Sequence, residues 1–272
     1  MSFDDYRYLR FERPRDGVLL VTIDRPERAN AANGAMLDEL VRLWPEVGDD
    51  PRTRAVVITG AGTTFCPGGD LDEVTEATGD IAAVPGELRG MHDLVGNLVA
   101  LDKPVVSAIN GFAAASGLAV ALTADISIMA ADATITDGHV LGGLVAGDHA
   151  ALVWPLLCSM SKAKYYLLTG FSMDGVEAER IGLVTMALPP DEVVPRALEV
   201  AAHLAAGPQL AIRWTKRALN GWYRQAAPIF EHSTALELLS LFHPDAAEGV
   251  AAVRERRPPV FPSTQDPEEP SC

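Results

Sequence analysis

The chain has 272 residues, enough for one large domain with a substantial core. Hydrophobic residues make up 48 % and charged residues 22 %, the balance of a soluble globular protein. The net charge of −15 argues against the basic field that nucleic-acid binding and anionic membrane surfaces require.

The N-terminal stretch MSFDDYRYLRFERP has no apolar segment of the kind a secretory signal needs. Gly17 to Pro26 reads as a strand closed by a turn. Met36 to Val47 has apolar residues at helical spacing, with Asn33 as its N-cap. Arg54 to Gly62 is a strand running into a glycine turn, and Pro104 to Gly111 repeats that form before the apolar helix GLAVALTA. Ala124 to Ala130 and Gly182 to Pro189 read as two further strands. Helices are expected over Glu87 to Leu101, Leu152 to Leu168 and Val193 to Ala206, and a mobile loop over Glu76 to Gly86. Short β-branched strands alternating with helices imply an α/β fold.

The core is expected over residues 1–207, followed by a helical region over 208–257 and an acidic, proline-rich tail over 258–272, disordered beyond Phe261. Cys66, Cys158 and Cys272 are scattered and odd in number, which suits a reducing, cytoplasmic setting and gives no metal-ligand spacing. No metal and no required cofactor are expected. The longest apolar run, Ala113 to Ala124, falls short of the ~18 residues that span a membrane.

Two glycine-rich turns could carry chemistry. GAGTTFCPGGD (Gly60 to Asp70) lets backbone approach a ligand closely, and it lacks the spacing of a dinucleotide fingerprint. In KPVVSAINGFAAASGLAVALTADI (Lys103 to Ile126) a strand passes through small residues into a helix, whose first N–H groups are unpaired and carry the positive end of the dipole. Two such turns on neighbouring strands could hold one oxygen between two N–H donors, an oxyanion hole.

With DRPERANAANGAML, ATITDGHVLGGL, AKYYLLTG, AERIGLV and DAAEGVAAVRERRPPVF in order around these turns, the chain resembles the crotonase (enoyl-CoA hydratase/isomerase) superfamily over residues 5 to 262. The resemblance implies a spiral of ββα turns, a helical C-terminal trimerisation region, a homotrimer or dimer of trimers, and stabilisation of an enolate. It places the oxyanion N–H groups on Gly69 and Ser116, the latter usually glycine. It also locates two departures: the two glutamates that handle water in the family's hydratases correspond to Ala119 and His139.

The pair His139 and Asp148, followed by VWP, resembles the 6-oxocamphor hydrolase branch, which cleaves a carbon–carbon bond of a cyclic β-diketone. Neutral imidazole takes a proton from water near pH 7, and a carboxylate orients it. Asp148 is equally placed to cap a helix starting near Ala150, and His149 is expected to face elsewhere. FCPGGDL has the CoA-using form, so a coenzyme A thioester could be part of the substrate, with Arg28, Arg254, Arg256 and Arg257 available to its phosphates. Gly68, Asp70, His92 and Trp154 are further candidates for the pocket, Trp154 as packing. Glu231 and Glu237 could reach a neighbouring subunit's pocket. The expected activity is hydrolysis of a β-dicarbonyl compound or acyl-CoA. The alternatives are an enoyl-CoA hydratase/isomerase and a non-catalytic acyl-CoA-binding protein.

Overall fold

The computed structural model describes residues 3–82 and 84–265. The ten strands among them are β1 (Leu9–Arg15), β2 (Val18–Ile23), β3 (Ala55–Gly60), β4 (Thr64–Cys66), β5 (Val105–Ile109), β6 (Phe112–Ala114), β7 (Ile126–Ala130), β8 (Thr134–Thr136), β9 (Met173–Asp174) and β10 (Met186–Leu188). The helices are α1 (Gly34–Asp49), α2 (Leu71–Ala77), α3 (Val84–Ala100), α4 (Ser116–Thr123), α5 (Ala150–Leu157), α6 (Met160–Thr169), α7 (Gly175–Arg180), α8 (Pro190–Ala206), α9 (Gln209–Leu219), α10 (Gly221–Gln225), α11 (Ala227–Ser240) and α12 (Pro244–Glu255).

Two sheets organise the chain. The larger runs β1-β2-β3-β5-β7-β10, antiparallel only between β1 and β2. The smaller runs β4-β6-β8-β9, with β4, β6 and β8 parallel. Three times in succession the chain lays one strand in the large sheet and the next in the small one: β3 to β4, β5 to β6, β7 to β8. This is the spiral of ββα turns. Every residue of β3 and β5 is buried, as expected of parallel strands covered on both faces. Helix α8 packs across β2, β3, β5 and β7.

The Asn33 side chain accepts from the Met36 N–H and caps α1 as expected. Other boundaries move. Residues 152–168 are two helices, because Ser159 starts a new one by accepting from the Lys162 N–H. Helices α2 and α3 take both ends of the expected loop, and the described residues 78–82 lie between them. The first strand, β1, escaped the sequence reading; its charged, mostly exposed residues suit an edge strand. At the other end, Asp245 accepts from the backbone and hydroxyl of Ser263, which ties the chain to α12 beyond Phe261. Residues 266–272, including Cys272, lie outside the described residues. No described helix is long and apolar enough to cross a membrane.

The C-terminal helices are not a separate appendage. Helix α11 packs on α3 and α5, and α12 on α2 and on the turn at residues 139–142.

Candidate active site

The small sheet sets the site. Cys66 pairs with Ala113, Ala113 with Ile135, and Ala114 with Thr136. The turns that follow these three parallel strands therefore leave the same end of the sheet side by side. Gly69 lies on the first, Ser116 on the second and His139 on the third. The carboxyl end of parallel strands is where α/β folds place ligands.

The first two turns touch. A Cβ at Gly68, whose φ is +97°, would come within 2.9 Å of the Ala115 Cβ, and one at Gly117 would sit 2.1 Å from the Cys66 carbonyl oxygen. Ala115 itself holds a left-handed φ of 45°, a strained conformation for a residue with a side chain. That twist starts α4 at Ser116 with its N–H directed out of the helix end. Neither the Gly69 nor the Ser116 N–H has a protein acceptor among the described residues. The Ser116 hydroxyl is buried without a partner. Burial pushes the nearby Cys66 thiol up to about 11, so it stays protonated.

The third turn carries a cluster of five titratable groups, each at most 8 % exposed: Asp137, His139, Asp148, His149 and Glu237. Gly138, at φ +78°, folds the chain so that Asp137 and His139 meet. His139 Nδ1 lies 3.0 Å from Asp137 Oδ2. Its Nε2 lies 3.5 Å from Glu237 Oε1 and 4.0 Å from Asp148 Oδ2. The carboxylate bonded to His139 is thus Asp137, in place of the expected Asp148. Asp148 instead bonds His149 Nδ1 at 2.6 Å, and the Trp154 indole N–H donates to His149 Nε2 at 3.4 Å. His149 therefore belongs to the cluster rather than facing elsewhere, and Trp154, fully buried, braces it. Asp148 does not cap α5; His149 occupies that position without a side-chain cap bond.

Glu237 reaches the cluster from α11 of its own chain, correcting the expectation that it serves a neighbour. It also accepts from the Gly147 N–H at 3.1 Å, while Ser233 donates to the Gly147 carbonyl. Glu231 lies 3.6 Å from His92, which bonds Thr234 and stands against Phe230. His92 links α3 to α11.

The charges are set by burial and by one another. Burial works against a charged His139, but Asp137, Asp148 and Glu237 outweigh it and hold its pKa well above the usual histidine value. The surrounding carboxylates thus favour the protonated ring over the neutral one. Burial also opposes the Asp148 carboxylate, yet His149 and His139 hold it down to about 2. Burial lifts Glu237 to about 8, with Asp148 and Asp137 adding and His139 opposing. A carboxyl that titrates near neutrality is suited to acid–base work. The donor atoms of His139, Asp148 and Glu237, and of Asp137, Asp148 and His149, lie close enough to encircle a cation. Both Nδ1 atoms pair with carboxylates, which orients the two rings.

The remaining candidates divide. Asp70 caps α2 and binds Arg25 at 2.8 Å, a structural role. Arg28 and Arg254 both approach Asp72, at 3.5 and 3.0 Å, beside a groove of about 310 Å³ between α2 and α12. Arg257 is bound by Glu248 and Glu255, and Arg256 ends α12 in a left-handed turn. Ala119 is buried on α4 and offers no carboxyl.

Sequence reading missed Asp137, and it assigned Glu237 to a neighbour's pocket in place of its own chain's. The D-G-H triplet was a usable sign of the first. The second sits on the buried stripe of α11, Phe230, Ser233, Thr234, Glu237 and Leu238, but three of these five are polar, so hydrophobic spacing does not mark the stripe in the sequence.

A family profile described as enoyl-CoA hydratase/isomerase matches residues 13–264. The chain is 33 % identical over 260 residues to a probable enoyl-CoA hydratase, EchA12, of Mycobacterium tuberculosis, covering 92 % of this chain and 91 % of that one. It is 32 % identical over 206 residues to a short-chain-enoyl-CoA hydratase of Clostridium acetobutylicum, covering 75 % and 77 %. The crystal structure of an enoyl-CoA hydratase/isomerase from Mycobacterium paratuberculosis superposes with a TM-score of 0.85 at 32 % identity, over 92 % of this chain and 99 % of that one.

Proposed function

Because the chain belongs to the enoyl-CoA hydratase/isomerase (crotonase) family yet has alanine and histidine where the hydratases carry their two glutamates, we propose that it hydrolyses a carbon–carbon bond of a β-dicarbonyl compound. The observation that carries this reading is the contact between His139 Nε2 and Glu237 Oε1, 3.5 Å apart in a buried cluster at the strand ends that also carry Gly69 and Ser116. Glu237 gives up its proton near pH 8, and the three carboxylates around His139 hold its proton more tightly than an ordinary imidazole does. In its singly protonated form the pair takes a proton from water, and the hydroxide oxygen adds to one carbonyl carbon. The bond from that carbon to the central carbon breaks, and its electrons form an enolate. The backbone N–H groups of Gly69 and Ser116 receive the enolate oxygen. The pair then returns its proton to the central carbon. One water is consumed, a carboxylic acid and a ketone or thioester leave, and the enzyme is restored.

The names of its relatives support an acyl-CoA as the carrier of the dicarbonyl. A β-keto acyl-CoA meets both halves of the site, and its phosphates would replace Asp72 as the partner of Arg28 and Arg254. We further propose a homotrimer or dimer of trimers working in the cytoplasm, with no metal or bound cofactor needed for this chemistry.

The test is a panel of cyclic 1,3-diketones and β-keto acyl-CoAs in heavy-oxygen water, read by mass spectrometry. The reading expects a cyclic diketone to give one product heavier by one water, and a β-keto acyl-CoA to split into a carboxylic acid and a shorter acyl-CoA, with the label in the new carboxylate in both cases. The second reading, enoyl-CoA hydration or isomerisation, is favoured by the names of the relatives. Robust hydration of crotonyl-CoA, with the diketone panel untouched, would replace the first reading with the second.

A further inference from the structure

We infer that Asp137 is the positioning residue that fixes the ring orientation and charge of His139, and that Asp148 does this for His149 instead. The inference deepens the hydrolytic reading, since it assigns the support behind the proposed acid–base pair, but it rests on geometry that holds for any reaction of this site.

Three observations carry it. First, Asp137 Oδ2 meets His139 Nδ1 at 3.0 Å, whereas the nearest Asp148 oxygen is 4.0 Å away and faces the other nitrogen. A hydrogen bond at 3.0 Å orients a ring; a gap of 4.0 Å acts only through charge. Second, Asp148 is already committed. Its Oδ1 bonds His149 Nδ1 at 2.6 Å, and that ring is fixed from its far side by Trp154. Third, among the described residues the Asp137 side chain makes no hydrogen bond besides the one to His139. It is 2 % exposed, and its Oδ1 is buried without a hydrogen bond. A buried carboxylate oxygen left without a hydrogen bond costs stability, and its presence in a folded protein calls for an explanation. Here the neighbouring group is the imidazole of His139.

The backbone makes the pair possible. Side chains two residues apart on an extended chain point the same way but stand well separated. Gly138 at φ +78° turns the chain back between them, where a Cβ is strained by the backbone conformation although it would meet only the Thr136 methyl, at 3.9 Å. With Nδ1 held by Asp137, Nε2 is left to face Glu237 and Asp148. A proton on Nδ1, donated to Asp137, frees Nε2 to exchange the proton that the reaction moves. This is the division of labour by which a carboxylate orients a catalytic imidazole.

The groups that face His139 are Asp137 from its own turn, Asp148 from the turn before α5, and Glu237 from α11. Two other elements pack on this turn. From α12, Asp245 directs its carboxylate to Ser263, and from α6, Tyr166 directs its hydroxyl to Glu177. Neither competes with Asp137 for the ring.

The experiment follows the imidazole by NMR in protein carrying isotope-labelled histidine, without substrate. In the unmodified protein the His139 Nδ1 proton should be retained through neutral pH, shifted far downfield by its carboxylate partner. Asp137→Asn should lower the His139 titration midpoint by about 1 to 3 units and abolish that downfield proton. Asp148→Asn should lower the midpoint less and leave the proton in place, moving the His149 signals instead. Where turnover is measurable, Asp137→Asn should lower kcat with little change in KM. The inference is overturned if Asp148→Asn removes the downfield proton and Asp137→Asn does not. It is also overturned if the unmodified protein holds a neutral His139 with its proton on Nε2, a reading that stands even if Asp137→Asn fails to fold. Because these spectra need no substrate, failure of the diketone panel leaves the assignment of Asp137 intact, and the reverse also holds.

Discussion

Glu237 Oε1 lies 3.5 Å from His139 Nε2, although one residue belongs to the C-terminal helix α11 and the other to the turn after the third small-sheet strand. The contact joins a carboxyl lifted by burial to an imidazole whose protonated form its neighbours favour. Proton exchange between them needs no rearrangement of the backbone.

Replacing Glu237 by Gln therefore tests the pair directly. Glu237→Gln should lower kcat by ~10² to 10⁴, the usual share of general acid–base catalysis. In the unmodified enzyme kcat should rise with pH through about 8, as Glu237 gives up its proton. The variant should lose that rise. A pH–rate profile on any turned-over substrate decides it, and an unchanged profile would remove Glu237 from the pair.

The same groups make stability depend on pH. Glu237 has a folded pKa raised from 4.5 to about 8, so the folded state binds the extra proton between those values. Its contribution is fully present below 4.5 and is lost as pH rises through about 8. His139, also raised, acts in the same direction above its ordinary value of 6.5. Asp148, held at about 2, acts oppositely: its contribution is present above 3.8 and is lost as pH falls toward 2. The melting temperature should therefore fall from pH 5 to pH 8, and Glu237→Gln should flatten that fall. A steeper decline in the variant, by calorimetry, would contradict the assignment.

Gly117→Ala probes the contact between the two glycine turns. The added Cβ would meet the Cys66 carbonyl at 2.1 Å, and backbone cannot yield as a side-chain tip does. Overpacking of this kind costs about 1–3 kcal/mol. It should also displace Ser116 from Gly69 and weaken binding of an enolate-forming ligand. Acetoacetyl-CoA, titrated by its near-ultraviolet enolate absorbance, provides the reading. A variant that melts earlier but binds the enolate unchanged would show that the turns do not cooperate.

The helical C-terminal region exposes Leu210, Trp214, Leu219, Trp222 and Leu239, each more than 60 % accessible. Isolated apolar residues on a surface are ordinary; this many within thirty-odd residues of helix call for a partner surface. The proposed trimer or dimer of trimers should appear by light scattering at micromolar concentration. The double variant Trp214→Asp, Trp222→Asp should shift the mass downward. A monodisperse monomer of the unmodified chain would exclude the proposed assembly.

The extent to which the sequence was legible follows from the range of the interactions. Asn33 and the long apolar strands could be read because caps and burial patterns are local. Strands β4, β6 and β8 could not, since three residues carry no period, yet they are what aligns Gly69, Ser116 and His139. The spacing of His139 and Asp148 marked the right turn. It did not reveal which carboxylate each histidine would take, because Asp148 met its adjacent neighbour His149 and the left-handed Gly138 turned Asp137 onto His139. Glu237 depended on the docking of a whole helix and left no local trace.

The position of Glu237 bears on how the molecule comes into being. Synthesis proceeds from the N-terminus, and N-terminal parts generally fold first. Both glycine turns, His139 and Asp148 leave the ribosome before any of α11 has been made. A nascent chain can thus form its spiral and its oxygen-binding turns while its proton-exchanging pair is still incomplete. The pair is completed when α11 docks against α3 and α5, where the Gly147 N–H donates to the Glu237 carboxylate and the Ser233 hydroxyl donates to the Gly147 carbonyl. A chain cut short anywhere before residue 237 would lack one half of the buried pair.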